Sequence, residues 1–119
     1  LLAPTSSTER QKKVTDMAGG FIYYVSLKGV TGAGNLDINS VNENVTSIRS
    51  LTDLPVCVGF GIKDGASARA VADLSDGVVI GSVLVNQIAM LAEQGESDPS
   101  VYASAVSEII TEIRQALDH

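Results

Sequence analysis

The stretch VVIGSVLV, Val78–Val85, places Gly81 and Ser82 inside the most apolar run of the chain. Four to eight apolar residues bounded by turn residues are typical of a buried strand. Glycine and serine fill a core poorly, and here they fall where a strand would pass into a helix. Two interpretations follow from the residues: a simple turn, or a binding site made of backbone N–H groups at a helix N-terminus.

Working outward from this stretch, strands and helices alternate along the chain. The apolar segments LLAP, FIYYVSL, VCVGF and GVVI predict four strands, each followed by a helix, with one further helix at the end. This alternation predicts right-handed βαβ units and a parallel sheet. The strands are continuously apolar, so we expect both faces of the sheet to be covered. The fold class is therefore α/β, either an open doubly wound sheet or about half of a (β/α)₈ barrel of about 250 residues.

Capping signals predict where the helices begin. Ser6 and Glu9 have the spacing of a capping box before the first helix, and Asp64 precedes the alanine-rich third helix. Asp98 followed by Pro99 predicts the start of the last helix. The predicted inner faces are Ile38, Val41, Val45, Ile48 and Leu51 in the second helix, and Val101, Ala105, Val106, Ile109, Ile113 and Leu117 in the last.

Composition and charge exclude several classes of protein. The net charge of −6 and the scattered basic residues argue against a nucleic-acid binder. The single cysteine, Cys57, excludes an internal disulfide framework, favours a reducing cytoplasmic location and is expected to be inert core. His119 is the only histidine, so no metal site is predicted. The opening LLAP is typical of the end of a strand already under way, and we expect a fragment of a longer chain.

Three predicted strands end in glycine-bearing loops, in SLKGVTG, GFGI and IGSV. The carboxyl ends of parallel strands meet at one edge of the sheet and carry the ligand site. Glycine allows an anion to approach backbone N–H groups, and Ser82 adds a hydroxyl that can also cap its helix. The residues therefore predict an anion cradle formed by Gly32, Gly61, Gly81 and Ser82. A glycine after one strand alone is better explained as a turn, whereas three at successive strand ends, the last opening a helix, favour the cradle.

The combination YYVSLKGVTGAGN, VGFGI and VVIGSVLV, in this order and spacing, resembles the C-terminal half of the tryptophan synthase alpha subunit. The resemblance covers essentially the whole chain, and LLAPTS fits the end of that barrel's fifth strand. It implies that residues 1–119 form a single partial domain, strands five to eight of a (β/α)₈ TIM barrel with their helices.

In that family the barrel cleaves indole-3-glycerol phosphate to indole and glyceraldehyde 3-phosphate, a carbon–carbon lyase step in tryptophan biosynthesis. The resemblance implies that Gly32, Gly61, Gly81 and Ser82 hold the substrate phosphate. Tyr23 and Phe60 would line the substrate pocket, and Tyr23 and Thr31 would be auxiliary catalytic residues, with Thr31 in a mobile loop. The structural alternative for Tyr23 and Phe60 is ordinary barrel core.

The family's acid and base, a Glu and an Asp, are expected upstream, so this chain alone is predicted to be inactive. No cofactor is expected in this subunit; pyridoxal phosphate would belong to the beta subunit that the resemblance implies as partner. The open sides of a half-barrel would be covered by the chain's own N-terminal half or by a second copy. Two alternatives stay open: the phosphate-binding half of another TIM-barrel isomerase or synthase, and a non-catalytic half-barrel assembly module. We expect no nucleic-acid or membrane partner.

Overall fold

The computed structural model describes residues 1–26, 38–59 and 61–118. The elements in chain order are α1 (Thr8–Met17), β1 (Ile22–Val25), α2 (Ile38–Arg49), β2 (Val56–Gly59), α3 (Gly65–Ala72), β3 (Gly77–Val79), α4 (Ser82–Glu93) and α5 (Pro99–Leu117). The predicted alternation is confirmed. Within these residues no helix is both long enough and apolar enough to cross a membrane.

The sheet is parallel, and its strands lie side by side in the order of the sequence, β1-β2-β3. Leu2 extends it by one residue on the far side of β1, where its N–H donates to the Tyr23 carbonyl and its carbonyl accepts from Val25 N–H, each at 2.8 Å. A doubly wound sheet reverses its strand order at a switch point. Four strand positions in unbroken sequence order are instead the winding of a barrel.

One face of the sheet forms the core. Ile22 and Tyr24 of β1 and Val56 and Val58 of β2 are almost fully buried and cluster with apolar residues of α2, α3 and α5. On the opposite face, Tyr23, Val25 and Cys57 are only half-buried. Within the described residues the core therefore lies on one face of the sheet, which α2, α3 and α5 cover, and the other face is the one that a half-barrel turns toward the barrel interior.

The predicted inner face of α2 is largely confirmed, since Val41, Val45 and Ile48 are buried at 1% exposure or less. Ile38 packs against the core at the helix start, and Leu51 lies beyond the helix end and is half-exposed. The spacing of three and four residues explains this, because it aligns the side chains along one side of a helix.

The predicted caps Asp64 and Asp98 are confirmed, and the predicted cap Ser6 is wrong. Asp64 forms a full capping box with Ser67, whose N–H donates to Asp64 Oδ1 at 2.8 Å, and Asp98 caps α5 ahead of Pro99. The α1 cap is Ser7, which accepts from Arg10 N–H. Ser6 is not the cap because its hydroxyl accepts from Ala3 N–H and holds the preceding turn instead.

The last helix is less buried than predicted. Of its six predicted core residues only Ile113 is buried; Val101 is 37% exposed and the other four are half-buried. Its close contact is with α3, where a Cβ added to Gly65 would lie 3.0 Å from Ala116 Cβ. The helix α5 thus has one buried residue, Ile113, while Ile109 and Leu117 pack partly buried against the core and Val101 is exposed.

Candidate functional site

A concavity of about 160 Å³ opens where the strands end. Its walls are Tyr23, Val25, Gly61, Ile62, Val79, Ile80, Gly81 and Ser82. The structure therefore brings together four of the residues singled out in the sequence, namely Tyr23, Gly61, Gly81 and Ser82. They come from three different strand ends, and they meet because parallel strands finish at the same edge.

The N-terminus of α4 forms one side of this concavity. Gly81 is its N-cap and Ser82 its first residue, and no side chain caps it. The prediction that Ser82 caps the helix is wrong, because the capping position lies one residue earlier. By contrast α1, α3 and α5 are capped by Ser7, Asp64 and Asp98. First-turn amides of a helix lack intrahelical partners and lie at the positive end of its dipole, so α4 presents them to the concavity.

Gly61 supplies the second backbone element. Its φ is +74°, in the left-handed region that glycine adopts without the steric cost of a Cβ. Its neighbour Ile62 is 6% exposed and packs into the core, which anchors the loop that carries Gly61. The turn therefore fixes the backbone of Gly61, which has no side chain, in the wall of the concavity.

Tyr23 forms a wall of the concavity from β1, and its ring crosses Gly59 on the adjacent strand. An added Cβ at Gly59 would lie 2.5 Å from the Tyr23 hydroxyl oxygen and 3.0 Å from its Cε2 atom. Gly77 is related to Cys57 in the same way, with a Cβ-to-Sγ distance of 3.0 Å. Glycines on this face thus make room for the larger side chains beside them.

Three of the predicted site residues, Thr31, Gly32 and Phe60, lie outside the described residues. The residues that the sequence did not single out are the apolar wall, Val25, Ile62, Val79 and Ile80, and Gly59 beneath the ring. Val25 follows Tyr23 by two positions and Val79 precedes Gly81 by two, so strand alternation was the available signal for both. Ile62 and Ile80 directly adjoin the predicted glycines Gly61 and Gly81.

Among the described residues that line the concavity, none carries a charge. The nearest carboxylate in sequence, Asp64, is bound in its capping box, where hydrogen bonds from Ser67 lower its pKa. Burial raises the pKa of the Cys57 thiol, and the Asp76 carboxylate raises it further; the thiol is half-exposed rather than buried. In residues 1–26, 38–59 and 61–118 no group of three His, Cys, Asp or Glu side chains could hold a metal ion. The described part of the site suits binding of an anion by neutral donors, and its lining residues include no acid–base pair.

Comparison with known proteins identifies the family. Residues 1–115 match the family model for the tryptophan synthase alpha chain. The tryptophan synthase alpha chain of Thioalkalivibrio sulfidiphilus is 52% identical over 118 residues, covering 99% of this chain and 43% of the relative. That of Burkholderia cenocepacia is also 52% identical over 118 residues, covering 99% of this chain and 41% of the relative. The chain therefore spans about two fifths of the length of the curated relatives that it matches.

Solved structures agree with the sequence match. Tryptophan synthase subunit alpha from Legionella pneumophila aligns over 98% of this chain and 40% of that one, with a TM-score of 0.78 and 32% identity. Tryptophan synthase from Mycobacterium tuberculosis aligns over 98% of this chain and 40% of that one, with a TM-score of 0.75 and 28% identity. The predicted fold class, α/β and half of a (β/α)₈ barrel, is confirmed by these alignments and by the sequential parallel sheet. The chain belongs to the tryptophan synthase alpha chain family.

Proposed function

We propose that this chain is the phosphate-holding part of a lyase subunit that cleaves indole-3-glycerol phosphate to indole and glyceraldehyde 3-phosphate. In this proposal the N–H groups at Gly61 and Gly81 and the hydroxyl of Ser82 bind the phosphate. Tyr23 forms the adjoining wall toward the glycerol portion. Gly32, Phe60 and Thr31 complete the site in the proposal, on the strength of the family resemblance.

The observation that carries the proposal is the uncapped N-terminus of α4 at the concavity. A phosphate there would accept from first-turn amides and gain from the helix dipole. Hydrogen bonds to a charged group contribute about 1.5–3 kcal/mol each. Two or three such bonds suffice to hold an anion without a Lys or Arg at the site.

The acid and base of the reaction are proposed to come from the part of the barrel that this chain does not contain. General acid–base groups each contribute about 10²- to 10⁴-fold in rate, and no carboxylate lines the described concavity. We therefore expect no indole release by this chain alone. In the complete subunit, the indole would pass to a beta subunit that carries pyridoxal phosphate, in a reducing cytoplasm.

The test uses two glycines that both have open space. A Cβ added to Gly81 or to Gly19 would meet nothing within 4 Å, and neither has a positive φ. Gly81→Val should therefore place a branched side chain where the phosphate approaches, and circular dichroism compares its fold with that of Gly19→Val. Calorimetric titration with glycerol 3-phosphate should show at least about tenfold weaker binding for Gly81→Val, a loss of about 1.4 kcal/mol or more. Gly19→Val, on the loop after α1, should bind as the unchanged chain does.

Equal affinity of the two valine variants would refute the phosphate site at α4. Activity needs a separate measurement, because the chain lacks the acid and base. A chimera that joins the first part of the Thioalkalivibrio sulfidiphilus relative to this chain should release indole from indole-3-glycerol phosphate. A chimera that binds glycerol 3-phosphate but releases no indole would favour the non-catalytic half-barrel module.

A further inference from the structure

The turn that carries Gly61 is held both by a core side chain and by a helix side chain. It joins β2 to α3, and Gly61 and Ile62 lie in the wall of the concavity. The Ile62 side chain is 6% exposed and packs in the core. The helix side chain is Ser67, in the first turn of α3. Because Gly61 directly precedes Ile62, these contacts restrict where its backbone can lie.

The Ser67 hydroxyl binds this turn through hydrogen bonds of both kinds. It accepts from Lys63 N–H at 3.0 Å and from Asp64 N–H at 3.1 Å. It donates to Asp64 Oδ1 at 2.8 Å. A serine hydroxyl has one proton to donate and two lone pairs with which to accept, so its full capacity is used here. A capping box requires only the bond to the cap residue, and the bond to Lys63 N–H extends the box by one residue toward Gly61.

The bond to Lys63 N–H fixes the peptide plane that follows Ile62. A peptide unit is planar, so holding its N–H also sets the direction of the backbone on both sides of it. The helix that carries Ser67 is itself well anchored, since Ala68 and Val71 are fully buried. Gly61 depends on such anchoring, because glycine has the widest backbone freedom and its φ of +74° is only one of the values open to it.

We propose that Ser67 is a positioning residue for phosphate binding, whose hydroxyl orients the Gly61 turn so that its backbone N–H groups face the phosphate. The inference rests on the proposed function. Ser67 is not among the described residues that line the concavity, so it acts through the turn. The phosphate takes no part in bond cleavage, so a misplaced turn should weaken the binding of substrate and transition state equally. The KM should then rise while kcat stays unchanged.

Helix α5 offers a matched control. The Ser100 hydroxyl donates to the Oδ1 atom of its capping residue Asp98 at 2.8 Å, the same kind of bond at the same length as that from Ser67 to Asp64. Neither Asp98 nor Ser100 is among the described residues that line the concavity. Ser67→Ala and Ser100→Ala therefore each remove a serine hydroxyl bonded to a capping aspartate, and only Ser67→Ala releases the Gly61 turn.

The test uses the chimera with the Thioalkalivibrio sulfidiphilus relative, in which the first part of the barrel is present. Calorimetric titration with glycerol 3-phosphate should show about three- to tenfold weaker binding for Ser67→Ala, less than the loss of a whole hydrogen bond to a charged group. Ser100→Ala should bind as the unchanged chimera does. Ser67→Thr keeps the hydroxyl and should restore the affinity to within about twofold. With indole-3-glycerol phosphate, Ser67→Ala should raise KM by a similar factor and leave kcat unchanged.

Unchanged affinity in Ser67→Ala would overturn the proposal. So would an equal loss in Ser100→Ala, which would indicate general destabilisation, or a failure of Ser67→Thr to recover binding. A lower kcat at unchanged KM would place the effect in the chemical step and would also overturn it. The two proposals fail separately. Weaker binding in Gly81→Val with unchanged binding in Ser67→Ala refutes only the positioning role, whereas an unchanged chimera that does not bind glycerol 3-phosphate refutes the phosphate site and this inference with it.

Discussion

Replacing Gly59 by alanine tests whether the empty space at this glycine positions Tyr23. The added Cβ would lie 2.5 Å from the Tyr23 hydroxyl oxygen, 3.0 Å from Cε2 and 3.1 Å from Cζ. Ordinary carbon contacts lie near 3.5–4.0 Å, so the end of the ring must retreat by about 1 Å. The backbone conformation itself suits alanine, since Gly59 has no positive φ. The strain therefore comes from the ring alone.

The loss of unfolding free energy in Gly59→Ala depends on how far the Tyr23 ring can move. Overpacking a core costs about 1–3 kcal/mol, and Tyr23 is half-buried with its far end able to swing toward the concavity, so we expect about 1–2 kcal/mol. In a Tyr23→Leu background the same Gly59→Ala change should be neutral or stabilising by about 0.5–1 kcal/mol, because glycine in a strand is less stable than alanine. The coupling between the two positions should thus exceed about 1 kcal/mol.

The assay is urea unfolding followed by circular dichroism, at one protein concentration for all four members of the cycle. The shift in the midpoint with an unchanged slope gives the change in unfolding free energy. Gly77→Ala is the control, since its Cβ would meet one movable sulfur atom, Cys57 Sγ at 3.0 Å, and should cost less. An equal cost of Gly59→Ala in the unchanged chain and in the Tyr23→Leu background would refute the reasoning.

Two further predictions concern Asp76 and Tyr24. Asp76 accepts from Val56 N–H at 2.8 Å and pairs with Arg49 at 3.0 Å, and these hydrogen bonds lower its pKa. Its contribution to the unfolding free energy is therefore present above the unfolded pKa of about 3.9 and is lost as the pH falls through the lower folded pKa. Asp76→Asn should lower the unfolding free energy by about 1 kcal/mol at pH 7, less than for a buried charged hydrogen bond because the side chain is 43% exposed. This loss should shrink in acid. A loss that stays constant from pH 7 to pH 2 in urea unfolding would contradict the prediction. The Tyr24 hydroxyl is buried without a hydrogen-bond partner among the described residues, and burial raises its pKa. Tyr24→Phe should therefore be neutral or stabilising by about 1 kcal/mol in thermal unfolding, and a clear loss of stability would show that the hydroxyl is satisfied.

Local signals in the sequence predicted the order of the elements and most of the helix starts. Asp64 and Asp98 cap their helices because a cap depends on contacts within three or four residues. The buried face of α2 follows from helical spacing for the same reason. The meeting of Tyr23, Gly61 and Gly81 was also predictable, since parallel strands all end at one edge.

Only the tertiary structure decided which face of the sheet is covered and which residues meet across strands. The ring of Tyr23 lies over Gly59, and Asp76 joins Val56 and Arg49, through a strand register that no local pattern specifies. Likewise Ser7 rather than Ser6 caps α1, because Ser6 is held by Ala3. The exposure of α4 and of most of α5 could not be predicted from their apolar spacing. The spacing shows which side of a helix is apolar, but whether another element packs against that side depends on the tertiary structure.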